Sequence, residues 1–366
     1  MNQDFILGKL NDIMGWDTDV ARQQFAWLRL MSQMKYDGYH DFLAGARFIE
    51  SLADWLQQFT PEERPDAYDL VRNWLVYISA AEMNHLVELF YPETVQWRIQ
   101  EAVARRLSIP TYGVWATDSS RAIYRRLLRQ TLFIELSDGA RIDVFRRANA
   151  GHVNNEQVMT APRMNQDKWA DVLTDLRKDL NDNDAKFAFV FLIDDFVGSG
   201  TTLLRQEDGQ WMGKLARFWN DVQDVLATHF EPEWQLCVHH YLATNRAKDS
   251  VQDCQSRALA ELSATQWFGN VRFSYGAILP ADLPLDQARH QGFLALTQKY
   301  YDDSIETRHT KKGGTDARLG FGACALPLVL EHNTPNNSIA LLWADTVGGP
   351  GRHAMRPLFR RRQRHE

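Results

Sequence analysis

Apolar residues recur at three- and four-residue spacing through the first part of the chain: Phe25, Leu28 and Met31, then Phe42, Leu43, Ala46, Ile49, Leu52, Ala53 and Leu56. That is the period of helices burying one stripe each. Thr60-Pro61-Glu62-Glu63 predicts a helix start: a capping threonine, proline at the first helical position and acids in the first turn. The same period continues from Tyr68 to Ile78. A further helix is predicted from Pro92 to Leu107, stopping before Ile109-Pro110, because the residue before a proline disfavours helix. Tryptophans at positions 16, 27, 55, 74 and 97 fall among these segments and read as core.

Beyond residue 130 the pattern changes. Thr131–Leu136 and Ile142–Phe145 read as strands, separated by the turn Ser137-Asp138-Gly139, where glycine supplies positive φ. A polar stretch, 149–166, precedes a helix over Trp169–Leu180. Lys186–Ile193 is apolar on both faces, as a central strand of a parallel sheet would be. Helix over Gly213–Ala227, strand over Trp234–Leu242, helix over Arg246–Leu262, strand over Val271–Ile278 and helix over Leu285–Tyr300 follow, then a late strand over Ser338–Trp343. Alternation of this kind predicts an α/β domain with a parallel sheet.

Length and composition narrow the class. At roughly 150 residues per domain, 366 residues suggest two or three domains. The 45% hydrophobic and 24% charged fractions exclude a disordered, collagen-like or low-complexity chain. The longest apolar stretch near the middle, Ala188–Ile193, is far shorter than the ~20 residues that cross a bilayer. No basic n-region with an apolar core opens the sequence. Cys237, Cys254 and Cys324 lie far apart without a CxxC pair, which argues against a disulfide framework or a cysteine zinc site. The expectation is a reduced, cytoplasmic protein without membrane association. Net charge is −6, yet nine arginines face four acids between Arg105 and Arg147, and Arg352–Glu366 carries six arginines and one glutamate. These stretches read either as phosphate-neutralising surfaces or as a solvated face and a frayed terminus.

One segment carries candidate chemistry: Phe189–Ile193, then Asp194-Asp195-Phe196-Val197, then Gly198-Ser199-Gly200-Thr201-Thr202. A buried strand ends in two carboxylates and passes into a small-residue loop that is predicted to open a helix. Ligands bind at that edge of open α/β sheets, and successive N–H groups with a helix N-terminus attract anions. The loop has no lysine, so it is not the GxxxxGK[ST] loop. Two acids beside an anion loop suit a ligand with phosphate at one end and hydroxyls, or hydroxyls plus a metal, at the other, as in ribose 5-phosphate. Neighbours on a strand point to opposite faces, so both acids serve one ribose only if the strand is already ending there.

At these residues the chain resembles type I phosphoribosyltransferases, whose signature is an apolar strand, two adjacent acids, two apolar residues and a Thr/Ser/Gly loop. The resemblance implies that Asp194 and Asp195 hold the ribose hydroxyls of phosphoribosyl pyrophosphate. It also implies that Val197, Gly198, Ser199, Gly200, Thr201 and Thr202 cradle its 5-phosphate, with Mg²⁺ riding on the pyrophosphate. Gly198 departs from the threonine or alanine more usual there. A wider resemblance is carried by Leu136–Asp143, Asn155-Glu156-Gln157, the DDFVGSGT loop, Thr334–Ser338 and Leu341-Leu342-Trp343. It is to phosphoribosyltransferase-like proteins of bacterial conflict operons, some of them retron-associated. This implies anti-phage defence and operon-encoded partners, among them a reverse transcriptase and its nucleic acid.

The same resemblance ranks secondary candidates. Ser137, Asp138, Gly139 and Arg141 form either a pyrophosphate-facing loop or an ordinary hairpin turn. Glu156 lies in a polar loop that either meets the acceptor or is plain surface, and Asn336 and Asn337 belong to a turn ranked as an acceptor loop by the resemblance alone. Lys311-Lys312-Gly313-Gly314 is either a lid over the leaving pyrophosphate or a solvated loop. His239-His240 in a predicted strand reads as structural, one side chain inward and one away. Phe196–Thr202 also resembles the FxGSGTT loop of DNA amino-methyltransferases, which binds S-adenosylmethionine. That family needs a proline where Asp195 stands and a catalytic [DNS]PP[YFW] tetrad, and the sequence has no Pro-Pro pair.

The expectation is therefore an all-helical N-terminal region, 1–130, followed by an α/β domain, 131–366, with a type I phosphoribosyltransferase-like parallel sheet flanked by helices. The expected activity is transfer or hydrolysis at ribose C1. A non-catalytic nucleotide-sensing or scaffold module and a methyltransferase are the alternatives.

Overall fold

A computed structural model of the chain describes residues 3–44, 47–159, 166–263, 266–307, 314 and 316–361. The chain divides into two compact units, one of Met1–Met83 with Pro280–Glu366 and the other of Asn84–Leu279. The division expected near residue 130 is not where the units part. The helical region contributes to both, because its early helices pack with the C-terminal segment and its later ones with the sheet.

The first unit is built on helices α1 (Gln3–Met14), α2 (Thr18–Met34), α3 (Phe48–Leu56) and α4 (Arg64–Asp69). Helix α3 begins at the expected stripe, with Phe48, Ile49, Leu52, Ala53, Trp55 and Leu56 buried. The start expected at Thr60-Pro61 is displaced to Arg64. Glu63 Oε2 still accepts from Thr60 N at 3.1 Å, and its carboxylate also accepts from Lys299 Nζ and the Tyr300 hydroxyl, each at 2.6 Å. The helical period expected from Tyr68 to Ile78 gives way to β1 (Val76–Ile78), so the N-terminal region is not all-helical. Local periodicity cannot show this strand, because its partner, Leu328–Leu330, lies in the far C-terminal segment and pairs with it in parallel.

The second unit begins with α5 (Ala80–Phe90), which straddles the boundary, then α6 (Gln96–Leu107) and α7 (Asp118–Arg129). It continues through β2 (Thr131–Glu135), α8 (Ile142–Ala148), β3 (Val158–Met159), α9 (Gln166–Leu180) and β4 (Phe187–Val197). A hairpin of β5 (Arg205–Glu207) and β6 (Gln210–Met212) follows, then α10 (Lys214–Val222), α11 (Leu226–His229), β7 (Phe230–Ala243), α12 (Asn245–Glu261) and β8 (Val271–Ile278). The five-stranded sheet runs β3-β2-β4-β7-β8, and every pair is parallel. Ile142–Phe145, expected as a strand, opens α8. The four-residue window fits both periods, but burial falls on Ile142 and Phe145, the helical spacing.

Helices cover both faces of this sheet. On one, Trp169 and Leu176 of α9, Leu215 and Trp219 of α10 and Val251 of α12 pack with Leu132, Val190, Leu192 and Val238. On the other, Phe90 meets Phe145, Phe191 and His239 with ring centroids at 5.3, 5.6 and 4.2 Å. Double coverage explains the continuous apolar run of β4.

In the C-terminal segment, α13 (Gln291–Lys299) is shorter than expected, β9 (Leu328–Leu330) pairs β1, and the strand expected over Ser338–Trp343 ends as a helical turn, α14 (Ala340–Trp343). All four residues of that turn are buried, so no alternation marks it. Residues 311–313 of the expected lid lie outside the described residues. The basic tail is anchored as far as it is described. Met355, Leu358 and Phe359 are fully buried, Arg352 pairs Asp303 at 2.9 Å and Arg360 pairs Asp345 at 3.1 Å. Phe359 packs against Tyr39 at 5.2 Å and stacks on Phe48 at 5.6 Å. Phe359→Ala should destabilise this unit by about 3–5 kcal/mol, read as an earlier urea midpoint, whereas a dangling tail would give no change.

Candidate active site

The strand order sets the position of the site. From β2 the chain steps outward to β3, then returns to β4 and continues the other way through β7 and β8. Between β2 and β4 the winding reverses, and in sheets of this kind the crevice beyond the carboxyl ends at such a point binds ligands. Ser137, just after β2, and Asp194-Asp195, near the end of β4, are brought together there. The Leu136 N–H still donates to Ile193 O at 2.8 Å. One residue on, the Ser137 hydroxyl donates to Asp194 Oδ1.

Strand β4 does not end at the acids. Asp194 lies opposite His240, Phe196 opposite Leu242 and Val197 opposite Ala243, so the two carboxylates point to opposite faces. Asp194 is 2% exposed. Its Oδ2 accepts from Lys214 Nζ, and His240 Nε2 stands 4.0 Å away. Burial pushes the Asp194 carboxyl up, with the neighbouring Asp195 charge adding to the rise and the Lys214 ammonium opposing it. Asp195 is half-buried and shares its face with Arg141 and Tyr241. Burial lowers the Arg141 guanidinium while Asp143 and Asp195 support its charge. The Tyr241 phenol is raised by burial and then by Asp195 and Asp194.

Lys214 is the residue that sequence reasoning missed. It lies outside the loop and arrives through the β5–β6 hairpin, which is inserted between the loop and α10. At the base of the hairpin, Lys214 N donates to Thr202 O and Leu215 N to Leu203 O, both at 3.0 Å. Gly213 makes this closure possible: at φ +120° a Cβ there would lie 2.4 Å from Leu203 O. The loop therefore does not open a helix directly, contrary to expectation. Lys214 opens the amphipathic helix after the loop, but nothing local in the sequence ties it to the acids.

The loop itself is fixed from below. Gly198 O accepts from Thr244 Oγ1 at 2.6 Å, and the same hydroxyl caps α12 by accepting from Ala247 N at 3.0 Å. Gly200 O accepts from Leu203 N and Leu204 N at 3.0 and 3.1 Å. Gly200 has φ +80°, and a Cβ would meet Val251 Cγ2 at 3.0 Å and Ala247 O at 3.1 Å, so glycine is required. Ser199 Oγ and Thr201 Oγ1 share a 2.8 Å hydrogen bond. The N–H groups of Ser199, Gly200, Thr201 and Thr202 have no acceptor among the described residues. Successive free donors of this kind are the pattern of backbone nests that attract anions.

The other expected residues fall out differently. Asp138 is exposed, and Gly139 sits in the 3₁₀ turn 138–140 leading to α8. Ser137-Asp138-Gly139 is therefore not a hairpin turn, because the chain enters a helix. Arg141 adopts φ +49°, a strained conformation for a side-chain-bearing residue, and its Nη1 donates to Asn84 Oδ1 at 2.9 Å. Glu156 is exposed beside buried Gln157, which donates to Leu128 O and Thr131 O. Asn336 and Asn337 belong to the first unit. There Asn336 O accepts from Phe321 N, and Asn337 is buried and donates to Phe321 O at 2.9 Å. His239 and His240 are both buried, against the expectation of one inward and one outward, because each face of the sheet is covered. Several arginines of the basic stretch are spent internally: Arg121 on Asp118 at 2.6 Å, Arg129 on Asp179 at 2.7 Å and Arg126 on Asp182.

No group of three His, Cys, Asp or Glu side chains able to hold a metal ion is present among the described residues. No helix among them is long and apolar enough to cross a membrane.

The fold and this site define an α/β protein with a row of unspent N–H groups and an acid pair at the switch point of a parallel sheet. A family model described as PRTase-CE matches residues 52–361, and the chain belongs to that family. Comparison with curated proteins gives no match. Comparison with solved structures gives none either.

Gly200→Ala should lower stability by about 1–3 kcal/mol through strain at positive φ, measured by urea titration. The His239 and His240 imidazoles are both lowered from 6.5 to about 3, chiefly by burial. Below about pH 6.5 the unfolded chain takes up protons that the folded protein refuses, so stability should fall as pH drops from 6.5 towards 3. The slope is about 1.4 kcal/mol per pH unit for each histidine. His240→Gln should flatten the decline in urea midpoint between pH 7 and pH 5, and an unchanged slope would exclude the effect.

Proposed function

We propose that the second unit binds phosphoribosyl pyrophosphate, or a nucleotide containing ribose 5-phosphate, and catalyses transfer or hydrolysis at ribose C1. The observation that carries the reading is the row of four unspent N–H groups, Ser199–Thr202, beside a half-buried carboxylate. The nest suits a 5-phosphate and Asp195 suits a ribose hydroxyl. Membership of the PRTase-CE family supports a phosphoribosyltransferase-like function.

Asp195 orients the sugar by accepting its hydroxyls. The loop fixes the phosphate end, so that C1 is presented at the crevice with its leaving group towards the turn after β2, where Arg141 offers a fork suited to pyrophosphate. Positive charge growing on the ribose as the C1–O bond breaks is favoured by the Asp195 carboxylate. The donor set fits Mg²⁺ held mainly through the ligand. Asp194 is buried and accepts from Ser137 and Lys214, and Asp195, the half-buried member of the pair, would be the carboxylate to approach the ion. When bound, Mg²⁺ would neutralise charge on the departing pyrophosphate.

The biological role we propose is a cytoplasmic effector of bacterial anti-phage defence, acting with operon-encoded partners such as a reverse transcriptase and its nucleic acid. The resemblance to conflict-operon proteins motivates it. If the protein leaves nucleotide pools and RNA unchanged when those partners are triggered, that role is wrong.

The test of the site is a thermal-shift titration with phosphoribosyl pyrophosphate and Mg²⁺, run against S-adenosylmethionine. A ligand at a hundred times its Kd adds about 2.7 kcal/mol, roughly 5–10 °C for a unit of this size. The shift should appear with the phosphoribosyl ligand and be lost in Asp195→Asn. A shift with S-adenosylmethionine alone would promote the methyltransferase reading. Silence from both would leave a sensing or scaffold module.

A further inference from the structure

Asp194 and Asp195 are adjacent in sequence but differ in what surrounds them. Asp194 has a side chain 3% exposed, and that of Lys214 is 17% exposed. One Asp194 oxygen accepts from the hydroxyl of Ser137 on the turn after β2, and the other accepts from the ammonium of Lys214 at the first position of α10. His240, itself 1% exposed, closes the same side. Three segments that are separate in sequence thus converge on one carboxylate. A carboxylate enclosed in this way has no ready route to a ribose hydroxyl, whereas Asp195 on the opposite face is half-buried.

The Lys214 backbone adds a second tie, since its N–H donates to Thr202 O at the end of the anion loop. Lys214 therefore links the loop, through its backbone, to the acid on β4, through its side chain.

Resting on the phosphoribosyl reading for the ligand, we infer that the two acids divide the work. Ser137, Asp194 and Lys214 form a buried clamp that positions the anion loop and the turn after β2, and Asp195 is the carboxylate of the pair that meets the sugar. Asp194 and Lys214 are positioning residues, and neither touches the ligand.

The clamp and a direct ligand role differ in whether a neutral pair can replace the charged one. Removing one member of a buried ion pair strands the other charge, whereas replacing both with groups of similar shape is often tolerated. The test uses the full chain as Asp194→Asn, Lys214→Met, the double variant and Asp195→Asn, with melting temperature and the Kd for phosphoribosyl pyrophosphate plus Mg²⁺ as readouts. Lys214→Met should lower the melting temperature by roughly 6–20 °C and weaken binding at least fivefold. The double variant should regain most of both, with Kd within threefold of the parent, although it has no carboxylate at position 194. Asp195→Asn should keep its melting temperature and lose at least tenfold in affinity.

A folded double variant that binds as poorly as Asp195→Asn would overturn the inference, since Asp194 would then be a ligand group. Strictly additive losses of melting temperature would overturn it too. If the parent binds no phosphoribosyl pyrophosphate, the phosphoribosyl reading falls, while the melting-temperature cycle still decides the clamp.

Discussion

Strand β4 is paired with β2 on one side and with β7 on the other, and the β7 pairing continues to its last residue, Val197. Helices and aromatic side chains cover both faces. With its outward paths closed, each residue near its end has one of two fates. Asp194 is driven into the side lined by Lys214 and His240, and Asp195 into the side with Arg141 and Tyr241. Where the ladder stops, the backbone turns sharply at Gly200 over the first turn of α12 and leaves four N–H groups unspent. The polar chemistry is a consequence of how far the ladder extends.

That constraint also explains the cost of the site. Two acids, two histidines and a tyrosine are packed at the carboxyl ends of β4 and β7, where burial shifts Asp194 up and both histidines down. Buried polar groups are expensive unless paired. Pairing reaches Asp194 from Ser137 on the turn after β2 and from Lys214 beyond the hairpin, and reaches His239 Nδ1 from the Ser274 hydroxyl of β8 at 2.9 Å. His240 Nδ1 and the Tyr241 hydroxyl have no hydrogen-bond partner among the described residues. Such a cluster holds its geometry only while the whole sheet is formed.

Much of the sheet was legible in the sequence, because strands buried on both faces write unbroken apolar runs and their crossover helices write amphipathic ones. The edge strand β3, two residues long, left no such trace in its polar stretch. Strand β1 was masked by an apolar run that fits a helix equally well. The anion loop was legible because small residues cluster only where backbone must approach something closely. The opposed directions of Asp194 and Asp195 were stated by strand geometry as a condition, and the register of β4 with β7 decides it. Lys214 was not legible, since no local pattern tells that a hairpin will return the chain to Thr202. The same holds for the C-terminal arginines, whose charge suggested a surface, whereas Met355, Leu358 and Phe359 between them form core.

The most direct measurement of the central claim is a crystal structure of the protein soaked with ribose 5-phosphate. Phosphate density is expected on the N–H groups of Ser199–Thr202 with the sugar hydroxyls towards Asp195, and Asp194 still held by Ser137 and Lys214. Phosphate bound away from that loop, or a sugar seated on Asp194 with Lys214 displaced, would contradict that claim.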